Sequence, residues 1–145
     1  MKSYLLLIIF GAGALTASAQ ESAPVVAADS TINETFVRVD VEASYPGGQK
    51  AWIEYLTKNL NGDAAGRDVV IPKRSKEVML TARVQFMVSK DGVITEARVV
   101  NKVPPSVERE ALRVIQNSGR WIPAQQNNRT VRAYRTQPIT FVFTN

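Results

Sequence analysis

The sequence predicts an α+β domain of two layers, a three-stranded antiparallel sheet with two helices packed on one face. Three observations carry that expectation. Leu80, Ala82, Val84, Phe86 and Val88 alternate with Thr81, Arg83, Gln85 and Met87, the period of a strand with one buried face. Ile139, Phe141 and Phe143 alternate in the same way with Thr140, Val142 and Thr144. Two stretches carry apolar residues at helical spacing instead, one ahead of the first strand and one between the second and third.

Residues 20–40 are dominated at their start by Ala, Ser, Thr and Val without periodicity and read as a flexible leader. Within them begins Phe36-Val-Arg-Val-Asp-Val-Glu42, whose alternation fits a short strand. Tyr45-Pro-Gly-Gly48 is a turn that opens the first helix, where Trp52, Ile53, Tyr55, Leu56 and Leu60 make a broad apolar face and Gly62 a stop. Residues 62–77 mix Gly, Pro and charges and read as a loop. Asp91-Gly92 predicts a two-residue hairpin turn. In the return strand Ile94 is out of phase with Ala97 and Val99, which predicts a bulge near Thr95. Pro104-Pro105-Ser106 caps the second helix, whose stripe is Val107, Ala111, Val114 and Ile115, with Gly119 closing it. Trp121 and Pro123 mark a corner before the last strand, where Trp121 is either a packing anchor or part of a groove. Pro138 cannot donate a ladder hydrogen bond, which confines that strand to a sheet edge, placed beside the first hairpin strand with its outer side open.

The N-terminus reads as an address. Lys2, the apolar run Tyr4-Leu-Leu-Leu-Ile-Ile-Phe10 and the small-residue site Ala17-Ser-Ala19 predict a secretory signal peptide over residues 1–19. The rival reading is an uncleaved anchor, but Gly11 and Gly13 interrupt a segment shorter than the ~20 apolar residues of a spanning helix. With no cysteine, the chain has neither a lipoprotein anchor nor disulfides. The remaining residues, 41–145, suit one domain. Charge is uneven within a net +5: residues 20–63 sum to −4 and residues 98–135 to +6. In a secreted chain the basic half points to an acidic peptide or an anionic surface rather than nucleic acid.

Composition removes most catalytic chemistry. Without histidine or cysteine there is no Ser-His-Asp or Cys-His nucleophile and no imidazole or thiolate zinc site. Glu108 and Glu110 are two apart on a helix and diverge, and Asp91 and Glu96 are ordinary surface charges. Ser75-Lys76 and Ser89-Lys90 are adjacent pairs without a dyad's geometry, and no phosphate-binding loop is present. The expectation is a binding protein that is not an enzyme and needs no cofactor or metal.

The ordered set of motifs resembles the C-terminal domain of TonB energy transducers. It comprises Tyr45-Pro-Gly-Gly48, the helix through Leu60, the strand into Lys90-Asp91-Gly92, Glu110-Ala-Leu-Arg-Val-Ile115, Arg120-Trp-Ile-Pro-Ala-Gln-Gln-Asn127 and Gln137-Pro-Ile-Thr-Phe-Val142, covering residues 41–144. The resemblance implies a periplasmic domain that takes an extended "TonB box" segment of outer-membrane receptors as an added strand. It assigns that role to Gln137, Pro138, Ile139, Thr140, Phe141, Val142, Phe143 and Thr144. An open edge also permits homodimers. In the family's transducers an uncleaved N-terminal helix, often with a histidine, and a long Pro-rich spacer couple the domain to inner-membrane motor proteins. Here a cleavable segment and a short leader stand instead, so a soluble periplasmic module is the first reading and an anchored transducer the alternative. A structural envelope protein that binds anionic polymer through the basic half is a third.

Overall fold

The computed structural model describes residues 35, 36 and 38–144. The expected signal peptide and most of the expected leader lie outside the described residues. Eight elements follow in order: β1 (Thr35–Phe36), α1 (Gly48–Asn59), α2 (Gly62–Ala65), β2 (Glu77–Val88), β3 (Ile94–Val99), α3 (Pro105–Gln116), β4 (Ala124–Gln126) and β5 (Arg129–Thr144).

The expected three-stranded sheet is wrong. The sheet has five strands, four of them in the order β1-β5-β2-β3, with β4 paired to β5. β2 and β3 form an antiparallel hairpin, and β5 lies antiparallel to β2 from Glu77↔Thr144 to Val88↔Ala133. The two additional strands are short. β4 turns back onto β5 through Asn127 and Asn128, both left-handed at φ 50 and 58, a conformation asparagine tolerates better than other side chains. β1 pairs in parallel with Arg132 and Ala133, so only Thr35 and Phe36 join the sheet as a strand. Farther along the alternating 36–42 stretch, Val41 makes a single bridge to Gln125.

The hairpin turn also differs from the two-residue form expected. The Gly92 N–H donates to the Ser89 carbonyl and the Ser89 N–H to the Val93 carbonyl, both at 2.9 Å. Lys90 and Asp91 therefore occupy the turn centre, and Gly92 alone is left-handed, at φ 79. In β3 the register jumps between Gln85↔Arg98 and Met87↔Thr95, with Glu96 at φ 54, which is a bulge beside Thr95.

Helices cover one face of the sheet. Trp52 and Leu56 of α1 and Val107, Ala111, Val114 and Ile115 of α3 meet Ala82, Val84, Phe86 and Val88 of β2 and Ile139, Phe141 and Phe143 of β5 in one core. The expected loop 62–77 contains α2, capped by the Asn61 side chain on the Ala64 N–H. Ser106 does not cap α3; Pro104 occupies that position. The Ser106 hydroxyl donates to the Ala65 carbonyl at 2.7 Å, and the Asp68 carboxylate accepts from the Ser106 N–H at 3.1 Å. A carboxylate thus stands at the positive end of α3 while tying it to α2. Glu110, 4% exposed, pins the same junction by accepting from the Asn61 N–H at 2.6 Å and pairing with Arg113.

Alternation in β5 identified the core face and said nothing true of the other. Thr140 and Val142 are each only 6% exposed. The Thr140 hydroxyl is hydrogen-bonded to that of Thr81 across the strand pair at 2.8 Å, and Val142 sits opposite Met79.

Candidate functional site

The outer side of β5 is the notable feature of this sheet. β1 meets it at Arg132 and Ala133, and beyond Ala133 no described strand lies against it. Which backbone groups face that side follows from the neighbouring strand. The Arg83 N–H donates to the Asn101 side-chain carbonyl at 2.7 Å, and the Arg83 carbonyl accepts from the Val100 N–H at 2.9 Å. Both groups of Arg83 point away from β5, so Arg83↔Pro138 is a non-hydrogen-bonded pair. Pro138 therefore turns its nitrogen outward, where the missing donor breaks no rung. By alternation Tyr134, Thr136, Thr140 and Val142 also direct their backbone groups outward, while Arg135, Gln137, Ile139 and Phe141 direct theirs to β2.

The side chains of the predicted site are less available than its backbone. Gln137, Ile139, Thr140, Phe141, Val142 and Phe143 are all buried and Thr144 is half-buried, which leaves Pro138 as the exposed one. What the strand offers a partner is its main chain, with Thr136 and Tyr134 continuing the edge ahead of the predicted stretch. Period-2 alternation pointed only to the apolar residues, so that earlier half, rich in Arg and Thr, carried no comparable signal.

On the helix face the edge is flanked by a small pocket of about 50 Å³ lined by Ser44, Tyr45, Gly48, Gln49, Trp52, Trp121, Arg135 and Gln137. Arg135 is its charged wall. Its guanidinium donates to the Glu42 carboxylate at 2.9 Å and to the Gln137 side chain at 3.3 Å, and lies 5.5 Å from the centroid of the Trp121 ring. Burial pulls the Arg135 pKa below the usual arginine value and the Glu42 charge pushes back, so the group stays cationic. Trp121, which the sequence placed at a corner, is 3% exposed and touches Phe86, Trp52 and Tyr45 with centroids 4.9 to 5.7 Å apart. Glu108 and Glu110 do not converge: Glu110 is buried and paired, and Glu108 stands in the first turn of α3. Among the described residues no group of acidic side chains is placed to hold a metal ion. Nor is any described helix long and apolar enough to cross a membrane.

No curated protein and no solved structure matches the chain. Residues 75–143 match the family of the Gram-negative bacterial TonB protein C-terminal, a non-catalytic domain. The match takes in β2, β3, α3, β4 and β5 through Phe143, and stops short of the Tyr45-Pro-Gly-Gly48 turn and α1. The strand whose outer side stands open is thus the closing strand of the segment that matches the TonB C-terminal family.

Proposed function

We propose that this protein is a periplasmic peptide-binding module that docks the extended N-terminal TonB-box segment of TonB-dependent outer-membrane receptors by strand addition to β5. The observation that carries this reading is the outward face of Pro138, which marks one side of β5 as a row of backbone groups with no described strand beside it. An added strand gains main-chain hydrogen bonds there without any change in the core. The family match supports the class of partner, and on an exported chain the excess of basic residues favours an acidic peptide over nucleic acid as the ligand. Residues 137–144 form the far half of this rail, Tyr134 and Thr136 the near half. The same edge would also serve a homodimer.

Thr136 is the cleaner probe of the rail, because its side chain is exposed whereas that of Val142 is buried. Thr136→Pro removes one outward donor and is expected to leave the melting curve nearly unchanged. A labelled receptor N-terminal peptide that binds the parent domain at roughly micromolar Kd should bind this variant at least about tenfold more weakly. Phe141→Pro deletes an inward rung and should not fold. Unchanged affinity in folded Thr136→Pro would put the peptide elsewhere.

We further propose that residues 1–19 are a signal peptide removed on export. Protein recovered from the envelope should then carry the mass of residues 20–145 and stay in the soluble periplasmic fraction. Full-length protein in the membrane pellet, co-purifying with inner-membrane motor proteins, would replace this reading with that of an anchored transducer.

A further inference from the structure

Three features meet at the pocket beside β5. The first is a pair of donors without partners: Trp52 Nε1 and Arg135 Nε are both buried and make no hydrogen bond in the structure, although buried N–H groups almost always find one. Trp52 is 2% exposed, and both residues line the pocket. The second is the start of α1. Its N-cap is Gly47, which has no side chain to accept from the first-turn amides, and no acidic residue stands in that turn. Gly48, whose N–H donates to the Tyr45 carbonyl at 2.8 Å, and Gln49 bring this positive end, which has no side-chain cap, to the pocket wall. The third is the guanidinium of Arg135, which already holds a carboxylate, that of Glu42. Among the described residues, none that lines the pocket itself is acidic.

Donors, a cation and a helix N-terminus around one small cavity select an anion. A volume of about 50 Å³ is that of one or two waters, enough for a carboxylate head and too small for a free metabolite. The walls come from the turn before α1, the start of α1, the Trp121 corner and β5, and β5 contributes Arg135 and Gln137. Arg135 and Gln137 share the helix-side face of β5 with Ile139 and Phe141. In any strand laid against β5, the residue opposite either of them turns its side chain to that same face. A Cβ built on Gly48 meets no atom within 4 Å, so space stands open at the helix start.

We infer that this pocket reads an acidic residue of the docked peptide, seating its carboxylate on Arg135, Trp52 Nε1 and the α1 N-terminus and so selecting among partners. The inference rests on strand addition to β5, and its test separates the two. The probes are short labelled peptides of alternating valine and threonine, alike except for one guest position carrying Glu, Gln or Lys and moved along the peptide. At the register that meets the pocket, Glu should bind about tenfold more tightly than Gln, the worth of one charge-assisted hydrogen bond. Lys should bind more weakly than either. Trp52→Phe keeps the ring and loses the N–H; Arg135→Lys keeps the charge and loses the fork. Each should cut the Glu preference to about twofold or less while leaving the affinity of the Gln peptide intact, with melting curves as the fold control. Equal binding of Glu and Gln at every guest position overturns the pocket and leaves strand addition standing. A Glu preference that survives both substitutions also overturns it, because the carboxylate then sits elsewhere. If no peptide binds the parent domain, or all bind folded Thr136→Pro undiminished, strand addition itself fails and the pocket's role fails with it.

Discussion

Trp121→Ala is expected to lower the unfolding free energy by about 3–5 kcal/mol, the range for truncating a buried aromatic. The ring is the hub where α1, β2 and β5 meet: it contacts Trp52, Phe86 and Tyr45, and the Arg135 guanidinium lies over it. Its indole N–H also donates to the Ser118 hydroxyl at 2.9 Å, which fastens the end of α3 to the corner before β4. Removing it opens a cavity bounded by rigid rings, and rings held by α1, by β2 and by the turn before α1 collapse poorly into the space. Urea unfolding at constant m-value measures the loss. A cost below about 1 kcal/mol would show that the corner is not part of the core. Because Arg135 loses the surface it lies against, the preference for a Glu-bearing peptide should weaken in the folded fraction as well.

Gly92→Ala should cost roughly 3 kcal/mol, combining the left-handed penalty for a Cβ with the loss of one hydrogen bond and a steric shift. A Cβ at this position would lie 2.1 Å from the Trp121 carbonyl oxygen, a backbone atom that cannot swing aside. The same residue's carbonyl accepts from the Trp121 N–H at 2.9 Å, so the hairpin tip and the corner before β4 approach backbone to backbone. Relieving the clash must break that bond or move the hairpin. The comparison that isolates the effect is Gly48→Ala, also left-handed at φ 72 but with open space around the new Cβ. It should cost only the conformational part, about 1–2 kcal/mol. Equal losses in the two variants would mean that the approach to Trp121 carries no weight.

The two glycines show where reading residues in order stops. Asp91-Gly92 announced a hairpin, and a hairpin is there, but the left-handed residue is Gly92 alone and its second duty is to Trp121, far along the chain. Ser106 looked like a cap because serine before a helical stripe usually is one; in the fold its hydroxyl is taken by the Ala65 carbonyl, and Asp68 supplies the carboxylate instead. Strand β4 escaped notice because three residues cannot display a period, and the short strand expected over 36–42 pairs only at its start, as β1, because that pairing exists only once β5 is in place.

By itself, the sequence determined the long elements and their inner faces: the stripe of α3 and the alternation of β2 and β5; the edge it expected at Pro138 is only the part of β5 beyond Ala133, since β1 lies against the strand before that. Those signals are local, since burial of one face imposes a period of 2.0 or 3.6 on the residues that make it. Only the tertiary structure decided which way the Pro138 nitrogen points, through the bonds of Arg83 to Asn101 and Val100 on the far side of β2. It alone decided that Thr140 and Val142 are shielded on the second face, and that Trp52, Arg135 and the bare start of α1 surround one cavity. These are relations between residues dozens of positions apart, set by strand register and helix placement, and no pattern along the chain encodes them.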